Sequence, residues 1–196
     1  MTKSTRAFPE QREYASSFVP LAFEITNHKQ MTMKHFGRLF LLLFFCLTTL
    51  ASSAQRTFLH GKCVGVADGD SFTLLDDKNN TVKIRLAHVD CPEKGQPFGK
   101  NAKQFTAHFC YGQRVVVAYD AANATDRYGR LIGVVFNSQQ EELNYALVEA
   151  GLAWHFKKYS TEERYSIAER SARRQGKGLW SAPNPIEPWN WRKKKK

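Results

Sequence analysis

Five short strand-like runs, an amphipathic helical run between the third and fourth, and further helical segments only near the end predict an α+β domain. The expected architecture is a five-stranded β-barrel of the OB type with about three helices packed outside it. The first run, Thr57 to Ala67 (TFLHGKCVGVA), is a strand in which Gly61 and Gly65 mark bend or bulge points. Asp68-Gly69-Asp70 turns the chain, and Ser71 to Asp76 carries the second strand through Phe72 and Leu74. Asp76 to Asn80 is a polar hairpin loop. It leads to a third strand, Thr81 to Val89, with Ile84, Leu86 and His88 on one face and Lys83, Arg85 and Ala87 on the other. These three strands form a meander.

After the loop Lys94 to Pro97, residues Phe98 to Tyr111 read as a helix, with Phe98, Ala102, Phe105 and Phe109 as its apolar face and Gly112 as its stop. Gln113 to Tyr119 (QRVVVAY) is the fourth strand. A polar loop, Asp120 to Asp126, ends in Arg127-Tyr128-Gly129-Arg130, and Leu131 to Phe136 (LIGVVF) is the fifth strand. Asn144 to Ala150 is a short helix stopped by Gly151. Ser160-Thr161-Glu162-Glu163 reads as a capping box opening a last helix to about Gln175. Trp180, Trp189 and Trp191 are expected to clamp the C-terminal segment on the barrel. The four terminal lysines are expected to form a disordered, non-specific contact to polyanions.

Not all 196 residues belong to that domain. Residues 33–54 read as a secretory signal: a basic start at Lys34, His35 and Arg38, an apolar run from Leu39 to Leu50, and the small-residue site Ser52-Ser53-Ala54. The apolar run is too short for a comfortable membrane span. Residues 1–32 precede it as an extension, and Met31 or Met33 is the expected true start. What remains divides into the barrel domain, 55–182, and a Pro- and Trp-containing segment with the lysine tail, 183–196. The implied protein is secreted or periplasmic, monomeric, and without a stable membrane anchor once the signal is cut. Of the 29 Lys and Arg and 18 Asp and Glu, residues 1–54 hold 6 and 3, so the remaining 142 residues keep a net charge of +8. An exported basic domain points to a polyanionic partner. Its three cysteines, Cys63, Cys91 and Cys110, lack any C-x-x-C spacing, which argues against zinc. If a disulfide forms, Cys63 with Cys110 is the expected pair, because Cys91 lies in an acidic turn.

The chemistry concentrates in KIRLAHVDCPE, Lys83 to Glu93. The start of the second strand and the end of the third are neighbours in a meander, so Asp70 meets Asp90 there. Two carboxylates brought together repel unless a cation lies between them, and oxygen ligands suit calcium or magnesium. The Cys91 carbonyl adds a ligand, and Asp68 stands one layer further out. Arg85 and Arg130 supply fork-shaped donors for phosphate, and Glu93 a base for water. Each piece has a duller reading: Asp-Gly-Asp as a plain turn, Asp90 to Glu93 as a cap, Arg85 as a structural ion pair, residues 126–130 as a solvated loop. These dull readings do not predict one another, whereas a phosphodiester-cleaving site predicts all of them together.

Taken in order, GVADGDSFTL, IRLAHVDCPE, GKNAKQFTAHF, DRYGRLIGVVF and ALVEAGLAW resemble the motifs of the staphylococcal (micrococcal) nuclease, or thermonuclease, family, from about Leu59 to Trp180. The resemblance implies a calcium-dependent endonuclease acting on DNA and RNA at the bond between phosphorus and the 5′ oxygen. It implies Asp70, Asp90 and the Cys91 carbonyl as calcium ligands, Arg85 and Arg130 as phosphate-binding and transition-state residues, and Glu93 as general base. Tyr128, with Arg127 beside it, falls on the substrate side. Phe156 or Tyr159 stands where a base-stacking aromatic is expected. Two departures stand out: Cys91 replaces a threonine, which suggests redox sensitivity, and the loop Lys94 to Pro97 is short, which suggests an open cleft. A competing class is an OB module that binds nucleic acid without cutting it, and a third is a basic envelope protein that works through its lysine tail.

Overall fold

The computed structural model describes residues 56–194, so the expected extension, signal and cleavage site lie outside the described residues, as do Lys195 and Lys196. Five strands close a barrel: β1 (Arg56–Val66), β2 (Ser71–Asp76), β3 (Thr81–Leu86), β5 (Arg114–Asp120) and β6 (Leu131–Phe136), in the order β1-β2-β3-β6-β5. The first strand serves two neighbours. Its first half pairs antiparallel with β5, from Arg56 opposite Asp120 to Lys62 opposite Arg114, and its second half pairs with β2. The register shift between Cys63 and Gly65 bends the strand from one neighbour to the other, as the glycines predicted. The parallel pairing of β3 with β6, Ile84 opposite Leu131 and Leu86 opposite Gly133, closes the circle. Phe72, Leu74, Ile84, Leu86, Val117 and Val135 fill the interior and are almost wholly buried.

The expected third strand is broken. It ends at Leu86, and Val89–Asp90 forms a separate strand, β4, paired antiparallel with β7 (Trp154–His155). The break is at His88, whose φ of 67 lies in the left-handed region where a side chain is strained. Neighbours hold it there. Its carbonyl accepts from Phe156 N at 2.8 Å, and its ring stacks on Tyr165 at 5.1 Å with Nδ1 3.0 Å from Ser160 Oγ. The preceding carbonyl of Ala87 accepts from Asn144 Nδ2 at 2.9 Å, while Asn144 Oδ1 accepts from Val135 N. A fully buried asparagine thus satisfies the backbone that the broken ladder abandons.

Among the described residues four α-helices surround the barrel: α1 (Gly99–Cys110), α2 (Leu143–Glu149), α3 (Glu163–Arg174) and α4 (Pro188–Lys194). The buried face of α1 is Gly99, Ala102, Thr106 and Cys110, with Phe105 and Phe109 only partly covered. The face is rotated from the expected one because Thr106 Oγ1 donates to Gly69 O at 2.6 Å, satisfying a buried hydroxyl and tying the helix to the Asp-Gly-Asp turn. The capping box forms only in part: Ser160 Oγ accepts from Glu162 N at 3.4 Å, but Glu162, the N-cap of α3, makes no side-chain cap bond, and the Ser160 hydroxyl is shared with His88 and His155. Cys63 and Cys110 face each other with sulfurs 3.5 Å apart, both as free thiols.

The fourth helix was not expected. Pro188 suits its first turn, where no backbone donor is needed, and Trp189 packs edge-on against Trp154 at 5.8 Å while stacking on Phe156 at 5.2 Å. Trp180 meets Trp154 at 4.4 Å, so Trp180 and Trp189 clamp the C-terminal segment as expected. Lys193 and Lys194 complete the helix rather than a disordered tail. Among the described residues no helix is long and apolar enough to cross a membrane.

Candidate active site

At one end of the barrel the register places Ser71 opposite Arg85 and Arg85 beside Ile132. Leu86 N donates to Asp70 O at 2.9 Å, so the start of β2 and the end of β3 are neighbours, as expected. The Arg85 guanidinium lies between the two aspartates, with Nη1 3.1 Å from Asp70 Oδ2 and Nη2 2.8 Å from Asp90 Oδ1. Its Nη1 also donates to the carbonyls of Leu86 and Val89, at 2.9 and 3.0 Å. One side chain therefore ties the barrel strand to β4 across the break. Arg130 arrives from the approach to β6 and donates through Nη1 to Ser71 Oγ at 3.1 Å. Asp126 holds it from behind, accepting from Nε at 2.8 Å and Nη2 at 2.7 Å. Ser71 Oγ in turn lies 3.3 Å from Asp70 Oδ1, so both guanidiniums converge on one corner.

Two glycines allow this corner to close. A Cβ on Gly69 would stand 2.6 Å from Ala102 Cβ and 2.8 Å from Cys91 Cβ, and one on Gly99 would collide with the Glu93 carbonyl. Cys91 N donates to Asp70 Oδ2 at 2.7 Å, while its side chain is buried in the core. Cys91 is 3% exposed and burial pushes its thiol above the ordinary value, which argues against the redox sensitivity that the sequence suggested. Burial and the neighbouring Asp70 raise Asp68 to about 6. Burial likewise raises Asp90 to about 6, with Asp70 adding to it, although Arg192 and Arg85 pull the other way. Arg192, at the end of α4, was missed by the sequence reading, because nothing in a basic terminal run distinguishes one cation from its neighbours. Its Nη2 is 2.7 Å from Asp90 Oδ2, and its Nη1 bonds Glu93 Oε1.

The remaining candidates line the rim. Tyr128 is 66% exposed, with the Arg127 and Arg130 guanidiniums 4.8 and 5.5 Å from its ring centre. Arg127 Nη2 donates to the Tyr128 hydroxyl at 2.6 Å. Of the two expected stacking residues, Phe156 already has Trp189 on its face, whereas Tyr159 is 69% exposed. The short loop beside Glu93 is tied on both sides: Gln96 Oε1 accepts from Glu93 N at 2.9 Å, and Gln96 Nε2 donates to Ile186 O at 2.6 Å. The C-terminal segment lies against that loop.

The donor set suits a hard cation better than a soft one. Asp70 and Asp90 present only oxygen, the nearby sulfur is turned into the core, and a guanidinium stands in as the positive charge on Asp90. Among the described residues no three His, Cys, Asp or Glu side chains converge as a closed metal cage. A cation here would keep much of its shell for water and phosphate, as magnesium and calcium do.

Under the site, Ser160 Oγ lies 2.9 Å from His155 Nε2, and His155 Nδ1 is 2.8 Å from Ser166 Oγ. One hydroxyl shared by His88 and His155 is satisfied when both rings are neutral. Burial holds His155 below its ordinary value of 6.5, with Lys157 and His88 acting the same way and Glu169 opposing them. The ring takes up its proton more readily unfolded. Its contribution to stability is therefore complete above about pH 6.5 and is lost as pH falls through the lowered folded value. Asp68 and Asp90, being raised, change stability in the opposite sense over that range, so a variant comparison is needed to isolate the histidine. His155→Asn should lose less melting temperature than the parent between about pH 7 and about pH 5. Equal losses in both proteins would assign the acid sensitivity elsewhere.

With the geometry in place, comparison with known proteins is direct. The profile of the family described as staphylococcal nuclease homologue matches residues 83–182. An uncharacterized endonuclease of Haemophilus influenzae is 37% identical over 156 residues, covering 80% of this chain and 84% of the relative. A micrococcal nuclease of Shigella flexneri is 38% identical over 146 residues, 69% of this chain and 82% of that one. The protein ParB of Escherichia coli is 36% identical over 145 residues, 69% of this chain and 80% of its own.

Proposed function

The chain belongs to the staphylococcal nuclease family, and from that premise we propose that it is an exported, calcium-dependent endonuclease hydrolysing DNA and RNA at the bond between phosphorus and the 5′ oxygen. The observation that carries this reading is Arg85 held between Asp70 and Asp90, with Arg130 reaching the same corner through Ser71. Two planar guanidiniums brought to one corner match a phosphodiester, whose non-bridging oxygens accept forked pairs of donors.

On this reading the Asp70 and Asp90 carboxylates and the Cys91 carbonyl hold the cation. When bound, the cation places positive charge beside a non-bridging oxygen and makes nearby water more acidic. Glu93 takes a proton from the attacking water through its carboxylate. Arg85 and Arg130 donate N–H groups to the phosphoryl oxygens as charge accumulates on them, and Asp126 keeps the Arg130 fork aimed. The water oxygen bonds to phosphorus, the phosphorus–5′ oxygen bond breaks with its electron pair going to that oxygen, and the oxygen is protonated from solvent. The products are a 3′-phosphate and a 5′-hydroxyl. Tyr128 and Arg127 hold the adjacent phosphate, and exposed Tyr159, rather than covered Phe156, stacks on a base.

The test is cleavage of single- and double-stranded DNA and of RNA with calcium, followed by addition of a calcium chelator and identification of the termini. Chelation should abolish cutting, and the termini should be 5′-hydroxyl. Binding without cutting would instead favour a nucleic-acid-binding module.

A further inference from the structure

We propose that Arg192 is an internal cation that occupies the site between Asp90 and Glu93, and that a divalent cation enters only by displacing it. The inference rests on the reading of Asp70 and Asp90 as cation carboxylates. Arg192 takes both oxygens of Asp90, with Nη2 2.7 Å from Oδ2 and Nη1 3.3 Å from Oδ1, and the same Nη1 bonds Glu93 Oε1. Asp90 is 1% exposed, so it has little other surface to offer. Arg85 already takes Oδ1 of Asp90, so Oδ2 is the oxygen left mainly to Arg192, and a cation ligated there would lie within about 2.5 Å of it. At that distance the cation and the Arg192 guanidinium would repel strongly over a buried carboxylate that already carries Arg85.

The Arg192 side chain is 43% exposed, but the helix that carries it is anchored. Arg192 stands one turn after Trp189 on α4, and Trp189 is fixed by Phe156 and Trp154. Trp154 in turn is paired with Asp90 in the β4–β7 ladder. Upstream, Gln96 clasps both ends of the arrangement, accepting from Glu93 N and donating to Ile186 O. The segment that carries the guanidinium and the loop that carries the two acids are therefore held in register on both sides. Charge explains the preference. Asp68, Asp70, Asp90 and Glu93 crowd a corner where Arg85 supplies one buried countercharge, and Arg192 supplies a second. Because one guanidinium engages both Asp90 and the proposed base, its removal by the cation frees Glu93 in the same step. Cation binding and exposure of the proton acceptor become one event.

The experiment is calorimetric titration with calcium, without nucleic acid, of the full chain, Arg192→Ala, Arg192→Gln and a Lys193→Ala control. Loss of the competitor should tighten calcium binding about tenfold in both Arg192 variants, while the Lys193 variant stays near the parent. Tryptophan emission should change with calcium in the parent, at the calorimetric midpoint, as the contacts of Trp189 are disturbed. The change should shrink in Arg192→Gln, which keeps most of the side chain's packing without its charge. Unchanged or weaker calcium binding in both Arg192 variants overturns the inference and leaves the cation site standing. Absence of calcium uptake by all four proteins removes the cation site itself, and the inference with it.

Discussion

Replacing Arg85 with alanine should lower the melting temperature by about 10 °C and reduce turnover by at least about three decades. Its side chain is 13% exposed and faces two carboxylates that are 9% and 1% exposed. Removing one partner of a buried ion pair costs about 3–5 kcal/mol, because the other charge is left without compensation. The lower end applies here, since Asp90 keeps Arg192 and Asp70 keeps the Cys91 amide. The variant also loses the two bonds that fasten Leu86 and Val89 carbonyls across the strand break, so β4 is freed as well. Arg85→Lys separates structure from chemistry. A single ammonium cannot span both aspartates and both carbonyls, so it should restore part of the melting temperature and little of the turnover. Calcium should raise the melting temperature of Arg85→Ala by more than that of the parent, because a cation regains the charge that was removed. Calorimetric melts within about 2 °C of the parent would mean that Arg85 does not neutralise this corner.

Arg130→Ala should behave differently: turnover falls by about two to three decades while the melting temperature hardly moves. Arg130 is 28% exposed and its partner Asp126 lies four residues away in the same loop, an arrangement that contributes little to global stability. Its donors are aimed past Ser71 toward the carboxylate corner, where charge would grow during attack. The loss should therefore appear in kcat more than in KM. Near-normal kcat in a well-folded Arg130→Ala protein would remove this residue from the transition state.

Most of the barrel was legible because period-two alternation and turn residues are local signals. Ile84 and Leu86 are buried where alternation placed them, and the bulge follows the glycines of the first strand. The carboxylates and arginines of the site were legible for a related reason: Asp70, Arg85 and Asp90 lie at strand ends that a meander must bring together. Three features were hidden. The strand break at His88 depends on Asn144, Phe156, Ser160 and Tyr165, all more than fifty residues downstream. The offset face of α1 depends on a carbonyl at Gly69, which no helical period reports. Ser160 has the pattern of a cap, yet two buried rings share its hydroxyl at 3.0 and 2.9 Å and leave the Glu162 amide a longer contact at 3.4 Å.

By itself, then, the sequence determined the barrel, the meander of its first three strands, the family to which the chain belongs and the corner where two aspartates meet an arginine. These follow from alternation, turn chemistry and spacing, each encoded within a few neighbouring residues. Only the tertiary structure decided that Phe156 is covered and Tyr159 open, that Cys91 is sealed in the core, and that Arg192 lies on Asp90 and Glu93. The physical reason is separation along the chain. Arg192 and Asp90 are a hundred and two residues apart, and what joins them is the packing of Trp189 on Phe156 and Trp154, which local patterns do not encode.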